Sequence, residues 1–237
     1  INMNDFLIVA NLKGNLLPKD IAPYLTEIES CESNLVICPS ELYIPYFLKH
    51  NYSVGLQNIY YDGNLYTGEI TPKQAYGLGV KYVIVGHSDR RIKFNESDLE
   101  INKTITECLN TGLKVILCIG ETLEEKNMLK TTRVLQKQLN NDLRNINDVN
   151  NLFIAYEPIW AIGSGNIPNN QDIKDTITYI KEVVYELNKQ DVKVLYGGSI
   201  DENNIEIIRK IPNINGVIVG KSSLNPKQLL KIIEKIQ

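Results

Sequence analysis

Short runs of Ile, Val and Leu recur along the chain, and most are followed by a longer segment whose apolar residues fall at helical spacing. Eight such runs stand out: Phe6–Ala10, Leu35–Cys38, Ser53–Leu56, Tyr82–Val85, Val115–Ile119, Leu152–Tyr156, Val192–Tyr196 and Gly216–Val219. Nearly all are continuously apolar rather than alternating, as in strands of a parallel sheet covered on both faces. Repeated βα units make an α/β protein, and both a closed barrel and a doubly wound sheet fit this pattern. Helix starts follow the strands. Pro18-Lys19-Asp20, Thr71-Pro72-Lys73, Ser97-Asp98-Leu99-Glu100 and Asn225-Pro226-Lys227 each supply a capping residue, a first-turn proline or both. Gly77-Leu78-Gly79 and Asn110-Thr111-Gly112 mark helix ends, with glycines able to take positive φ before the next strand. Eight strands in 237 residues match a (β/α)8 barrel, for which about 250 residues is typical; six strands would suit a doubly wound sheet better. No Pro-, Gly- or Ser-rich linker divides the chain, so a single barrel domain over 1–237 is expected. The asparagine-rich stretch Asn147–Asn151 reads as compositional bias on an exposed loop.

Composition narrows the partners. At 43% hydrophobic and 22% charged, the chain is an ordinary globular one. Its 25 Lys and Arg against 28 Asp and Glu give a net charge of −3, which speaks against a nucleic-acid partner bound by counterion release. The longest apolar runs, such as Val115–Ile119, have about a quarter of the length needed to cross a bilayer, so no membrane span is expected. Cys31, Cys38, Cys108 and Cys118 form no Cys-x-x-Cys pair and suggest a reducing compartment. With Asp5 and only the short apolar stretch Phe6–Ala10 at the start, no secretory signal is expected within the chain, and a cytoplasmic location follows. Because residue 1 is isoleucine, an organelle form with a removed presequence stays open.

In a barrel, chemistry sits just after the strand ends, in the βα loops. The conspicuous polar residues fall there: Asn11-Leu12-Lys13, Gly86-His87-Ser88-Asp89-Arg90-Arg91, Glu157-Pro158-Ile159-Trp160, Gly197-Gly198-Ser199 and Gly220-Lys221-Ser222-Ser223. The two glycine-containing turns after the last strands let backbone amides approach an anion, which points to a small phosphorylated ligand. Taken singly these residues are ambiguous. A lone His87 is structural about as often as functional, Lys13 alone reads as a solvated charge, and Arg90-Arg91 read as ion-pair partners tying loops together. His50 reads as surface. Glu157, directly after a buried strand and grouped with a histidine and a lysine, is a candidate general base. A metal is not expected, since there is no histidine pair at helical spacing and the carboxylates are not clustered.

Together these stretches resemble the triosephosphate isomerase family over essentially the whole chain. The most specific are Val85-Gly86-His87-Ser88-Asp89-Arg90-Arg91, Ala155 through Gly165 (AYEPIWAIGSG), and Tyr196-Gly197-Gly198-Ser199; Tyr66-Thr67-Gly68-Glu69-Ile70 and Cys118-Ile119-Gly120-Glu121 add weaker matches. The resemblance implies cofactor-free interconversion of dihydroxyacetone phosphate and glyceraldehyde 3-phosphate, in glycolysis and gluconeogenesis. It implies Glu157 as the base and His87 as a neutral hydrogen-bond donor to the carbonyl oxygen. Lys13 would offset phosphate and oxyanion charge, and Asn11 would be a further donor. Asp89 would be an auxiliary catalytic residue. It implies a lid over Pro158, Ile159, Trp160, Ala161, Ile162, Gly163, Ser164 and Gly165, within the long loop Pro158 to Asn170. Gly163, Ser199, Gly220 and Lys221 would present amides to the phosphate. The loop Tyr60–Ile70, long for a βα connection, reads by itself as either a lid or an interaction loop; the resemblance implies a homodimer in which Thr67, Gly68 and Glu69 meet the partner, with Thr67 at the edge of the partner's active site and Glu69 pairing with an arginine such as Arg90.

The chain departs from that family pattern at four places. Asp89 replaces a glutamate, shortening the arm by about 1 Å, a displacement that can cost roughly a hundredfold near a catalytic centre. Lys221 replaces the second of two glycines, where positive φ would now be strained while the ammonium could assist the anion. Asn166-Ile167-Pro168 follows the lid tip, and proline stiffens a hinge. Leu12 replaces an aromatic, a packing change. Two other readings compete. One is a catalytically weakened paralogue that binds sugar phosphates or a protein partner, supported by Asp89 and Lys221. The other is a phosphate-binding barrel enzyme of another class, such as an aldolase needing a Schiff-base lysine.

Overall fold

The computed structural model describes residues 6–31 and 34–236; Ile1 and Asp5, used above in reading the chain start, lie outside the described residues. Eight strands run in chain order: β1 Leu7–Asn11, β2 Leu35–Cys38, β3 Ser53–Leu56, β4 Tyr82–Val85, β5 Lys114–Ile119, β6 Leu152–Tyr156, β7 Lys193–Tyr196 and β8 Gly216–Val219. Each pairs in parallel with the next, and β8 pairs back with β1, closing a barrel of (β/α)8 type. The doubly wound alternative is thereby excluded. Expected and observed strands differ by one residue at β1, β5 and β7. Lys114 joins the ladder although its side chain is exposed, because pairing is set by the backbone, while β7 starts one residue later than expected, at Lys193.

The described helices are α1 Pro18–Ile28, α2 Ile44–Phe47, α3 Pro72–Leu78, α4 Ser88–Lys93, α5 Asp98–Thr111, α6 Leu123–Asn127, α7 Thr131–Asp142, α8 Asn170–Asn188, α9 Ile205–Arg209 and α10 Pro226–Glu234. Thr71 and Ser97 cap α3 and α5 by accepting the N–H groups of Gln74 and Glu100, and those two side chains reach back to complete capping boxes. Asn225 accepts the Lys227 N–H at the start of α10. Gly79 and Gly112 close α3 and α5 at φ 106° and 95°, whereas Gly77 lies inside α3 and takes no positive φ.

Period-two alternation divides the strand residues into two cores. Leu7, Val9, Val36, Cys38, Ile84, Ile116, Cys118, Ala155, Leu195 and Ile218 belong to one cluster, the barrel interior. The alternate residues, such as Ile8, Ile37, Val83, Val115 and Ile154, pack against Ile105, Leu139, Ile177 and Ile232 of the surrounding helices. Each of these buried aliphatic side chains contributes about 1.5–3 kcal/mol relative to exposure. Continuing the interior parity past the strand ends brings Asn11, Gly86, Gly120, Glu157, Gly197 and Gly220 to the mouth.

The Arg90-Arg91 pair ties loops together, as the sequence reading holds. Arg90 binds Glu96 at 2.6 Å. Arg91 donates to Asp98, to the fully buried Asp142, and to the carbonyl oxygens of Gly86 and Cys118. Four acceptors around one rigid guanidinium fix the ends of β4 and β5, the strands that deliver His87 and Glu121.

Candidate active site

At the strand C-termini a cavity of about 540 Å³ is lined by Asn11, Lys13, His87, Glu157, Gly163, Ser199, Gly220 and Lys221 among others. Local chemistry orients each of these groups. The Asn11 side-chain oxygen accepts the Lys13 N–H at 3.2 Å, leaving its NH2 group to donate into the cavity. Lys13 itself sits at φ 49°, in the left-handed region, where a side chain costs about 1–2 kcal/mol. That conformation is held by Gln57, whose amide nitrogen donates to the carbonyls of Lys13 (2.7 Å) and Cys38 (3.0 Å). The Lys13 ammonium then meets Asp89 at 2.9 Å, so the shortened arm of Asp89 still reaches it. Partial burial pushes the Asp89 carboxyl up, but the Lys13 hydrogen bond and the electrostatic influence of His87, Lys13 and Lys93 hold it below the usual range.

His87 caps α4. Its Nδ1 accepts the Asp89 N–H at 3.1 Å, so a neutral ring carries its proton on Nε2, which lies 3.6 Å from Glu157 Oε2. The Nε2–H is thus a donor aimed at the same space as the carboxylate. Glu157 is buried, and its Oε1 has no hydrogen-bond partner among the described residues. Beneath it, burial first and then the charge of Glu157 keep the Cys118 thiol well above its ordinary range, so the sulfur stays protonated.

Two glycines make room for the base. A Cβ at Gly120 would come within 1.9 Å of the Glu157 carbonyl oxygen, and one at Gly197 within 2.5 Å of Glu157 Cγ and 2.3 Å of Ile218 Cγ2. A side chain at 120 would collide with backbone, and one at 197 would have to displace the Glu157 and Ile218 side chains.

The loop after β6 is fastened at both ends. Pro158 is buried, and Ile159–Ala161 form a 3₁₀ turn. Glu121, 1% exposed, accepts from Trp160 Nε1 at 3.0 Å and from the Tyr156 hydroxyl at 3.2 Å, while its own carbonyl accepts the Ile159 N–H. Burial raises the Glu121 carboxyl despite these donors. Lys126 lies 3.6 Å over the Trp160 ring. At the far end the Ser199 hydroxyl donates to the Ala161 carbonyl (2.8 Å) and accepts the Gly165 N–H (3.0 Å). Ile162 is half-buried, and the exposed Gly163-Ser164-Gly165 tip turns through positive φ at both glycines. Pro168 is buried, next to Asn169, the cap of α8.

One expectation needs adjustment. Lys221 takes no positive φ; it opens the 3₁₀ turn Lys221–Ser223, and the strained cation is Lys13 instead. Arg90, named for Glu69, is already engaged by Glu96. Leu12 is buried, in keeping with a packing role. Thr67, Gly68 and Glu69 lie in the exposed loop after β3, away from the residues lining the cavity. Sequence reading passed over Gln57 and assigned Glu121 no role. The position of Glu121 straight after β5 was the available signal for it.

A family model described as triosephosphate isomerase matches residues 6–236. The chain belongs to the triosephosphate isomerase family. Among curated relatives with that name, the protein of Thermodesulfovibrio yellowstonii is 44% identical over 182 residues, covering 75% of this chain and 74% of its own. Those of Natranaerobius thermophilus and Aquifex aeolicus are each 36% identical, covering 96% of this chain and 94% and 98% of their own. Membership in the triosephosphate isomerase family makes the chain an isomerase. No described helix is long and apolar enough to cross a membrane.

Gly197→Ala should leave the fold intact by circular dichroism while lowering kcat by about a hundredfold in a coupled assay, because the added methyl displaces the Glu157 side chain by roughly an ångström. Unchanged kcat would show that Glu157 does not depend on that space.

Proposed function

We propose that Glu157, His87, Lys13 and Asn11 carry out the interconversion of dihydroxyacetone phosphate and D-glyceraldehyde 3-phosphate in this chain. The supporting observation is the convergence of Glu157 Oε2 and His87 Nε2 at 3.6 Å in a cavity that also holds Lys13. The carboxylate of Glu157 takes a proton from the hydroxyl-bearing carbon beside the substrate carbonyl. The electron pair moves onto the carbonyl oxygen, giving an enediolate. His87, with its proton on Nε2, donates to that oxygen as charge develops and relays a proton between the two oxygens. Lys13 and the Asn11 NH2 group stabilise the same charge, and Asp89 acts by holding the Lys13 ammonium in place. Protonated Glu157 then returns its proton to the neighbouring carbon, completing the isomerisation with no net change in atoms or charge. The substrate's own carbonyl acidifies the proton, so the reaction calls for no cofactor.

The phosphate is held by the backbone amides of Gly163, Ser199, Gly220 and Lys221, on the lid tip and the loops after β7 and β8. The lid Pro158–Gly165, latched through Glu121 and Ser199, excludes water, in which an enediolate beside a phosphate ester eliminates phosphate. The whole chain, 1–237, acts as one barrel domain. A cytoplasmic setting suits the buried thiols of Cys38, Cys108 and Cys118.

The dimer belongs to the same reading. The loop after β3 carries Leu65 at 80% exposure and Tyr66 at 49%, and Leu42, in the turn after β2, is 78% exposed. Asp62 organises the loop by accepting from the Asn64 N–H and the Tyr66 hydroxyl, and Tyr60 packs edge-on to Tyr66. A preformed loop with an apolar tip fits docking into a second copy, with Thr67, Gly68 and Glu69 at the contact.

Replacing Glu157 by Gln keeps the shape and removes the base. The coupled assay with glyceraldehyde 3-phosphate should show kcat lowered by about 10³-fold or more, with substrate binding largely kept. Equal turnover by the variant would overturn the assignment. Light scattering at micromolar concentration should give twice the monomer mass, and Leu65→Asp should shift it toward monomer; a monomeric parent would refute the dimer.

A further inference from the structure

Inventory of the charges around the cavity exposes an imbalance. Its lining includes two ammonium groups, Lys13 and Lys221, and three carboxyl-bearing side chains, Glu157, Asp201 and Glu202. Lys13 is already paired, at 2.9 Å, with Asp89. Asp201 is occupied in accepting the N–H groups of Asn203 and Asn204. A phosphomonoester brings a dianion into this setting, where the Lys13 ammonium already faces the Asp89 carboxylate. Lys221 differs. Among the described residues no carboxylate lies within ion-pair distance of it, its side chain is exposed at the cavity edge, and its backbone is free of left-handed strain.

We propose that the Lys221 ammonium is a phosphate ligand, a second cation that closes on the phosphate of the substrate in addition to the backbone amides. This deepens the isomerase reading and rests on it for the identity of the substrate, but not for phosphate binding itself. The lysine stem is flexible and its head is a compact point charge with three rotatable donors, so it can follow the phosphate oxygens without a preformed partner. Its exposure also sets a limit. The interaction is screened by salt over a Debye length of about 8–10 Å, and its strength lies at the modest end for charge-assisted contacts. The residue acts on binding, and the proton transfers at Glu157 and His87 proceed by the same route without it.

The test uses the full chain and inorganic phosphate as probe, by titration calorimetry, with Lys221→Met, Lys221→Gly and Lys221→Arg. At low ionic strength the Met and Gly variants should bind phosphate about three- to tenfold more weakly, whereas Arg should stay within about twofold of the parent. The difference should shrink as salt is raised. In the coupled assay KM should rise in the same proportion in the Met and Gly variants, with a smaller change in kcat. Parent-like phosphate affinity in Lys221→Met, or in Lys221→Gly, would overturn the proposal. So would a loss that salt does not alter. A parent protein that binds phosphate through Lys221 yet fails to isomerise would sustain the inference and refute the assignment of the reaction, which keeps the two failures distinct.

Discussion

Glu157 reaches the barrel mouth only because residues 120 and 197 carry no side chain, and that exclusion of volume is what the site is built around. The chain of causes begins with parallel closure. Once β8 pairs with β1, every strand has one inward and one outward set of positions, and the inward set is filled by Ile, Val, Leu and Cys up to the strand ends. The next inward positions are Asn11, Gly86, Gly120, Glu157, Gly197 and Gly220. Large residues there would extend the core by a layer. Glycine at four of them leaves a hollow with two polar side chains in it, and the buried carboxylate of Glu157 is the consequence. Packing and chemistry are therefore one design, since the interior that stabilises the barrel also supplies the floor of the site.

The electrostatics follow from the same placement. Glu157 is buried next to His87, and the backbone of α4 dictates which imidazole nitrogen is free by donating the Asp89 N–H to Nδ1. A hydrogen bond made two residues along the chain thus sets the orientation of the imidazole. Lys13 is held by a different device, a strained φ braced by Gln57 and an ammonium braced by Asp89. Strain at a cation beside the base is stable only because several contacts fix it at once. The lid is treated alike, with Glu121 securing its first turn and Ser199 its tip. Between these anchors the Gly163-Ser164 tip is left exposed to solvent.

Much of this was legible in the sequence. Strand positions came from continuous apolar runs, and five of the eight agree at both ends, because a parallel sheet buried on two faces tolerates few other residues. Thr71, Ser97 and Asn225 declared their helices through cap chemistry that is local by nature. The cavity residues Asn11, Lys13, His87 and Glu157 were visible as polar breaks straight after strands. The short helices α2, α4, α6 and α9 were not read, since four to six residues carry too little periodicity to register. Gln57 escaped for another reason: its value lies in bridging the turns after β1 and β2, a proximity that exists only once the barrel closes. The left-handed φ of Lys13 was equally hidden, while the strain expected at Lys221 was absent because a 3₁₀ turn accommodates the residue. Asp89 looked too short until its distance to Lys13 could be stated.

The central claim is that one substrate fits between Glu157 and His87 while its phosphate is held by the lid tip and the last two loops. A crystal structure of the protein with a phosphate-bearing enediolate analogue tests this most directly. The account predicts phosphate oxygens about 3 Å from the amides of Gly163, Ser199, Gly220 and Lys221. The planar head should then lie against Glu157, with one oxygen accepting from His87 Nε2. An analogue bound with its head remote from Glu157, or with its phosphate outside these loops, would contradict it.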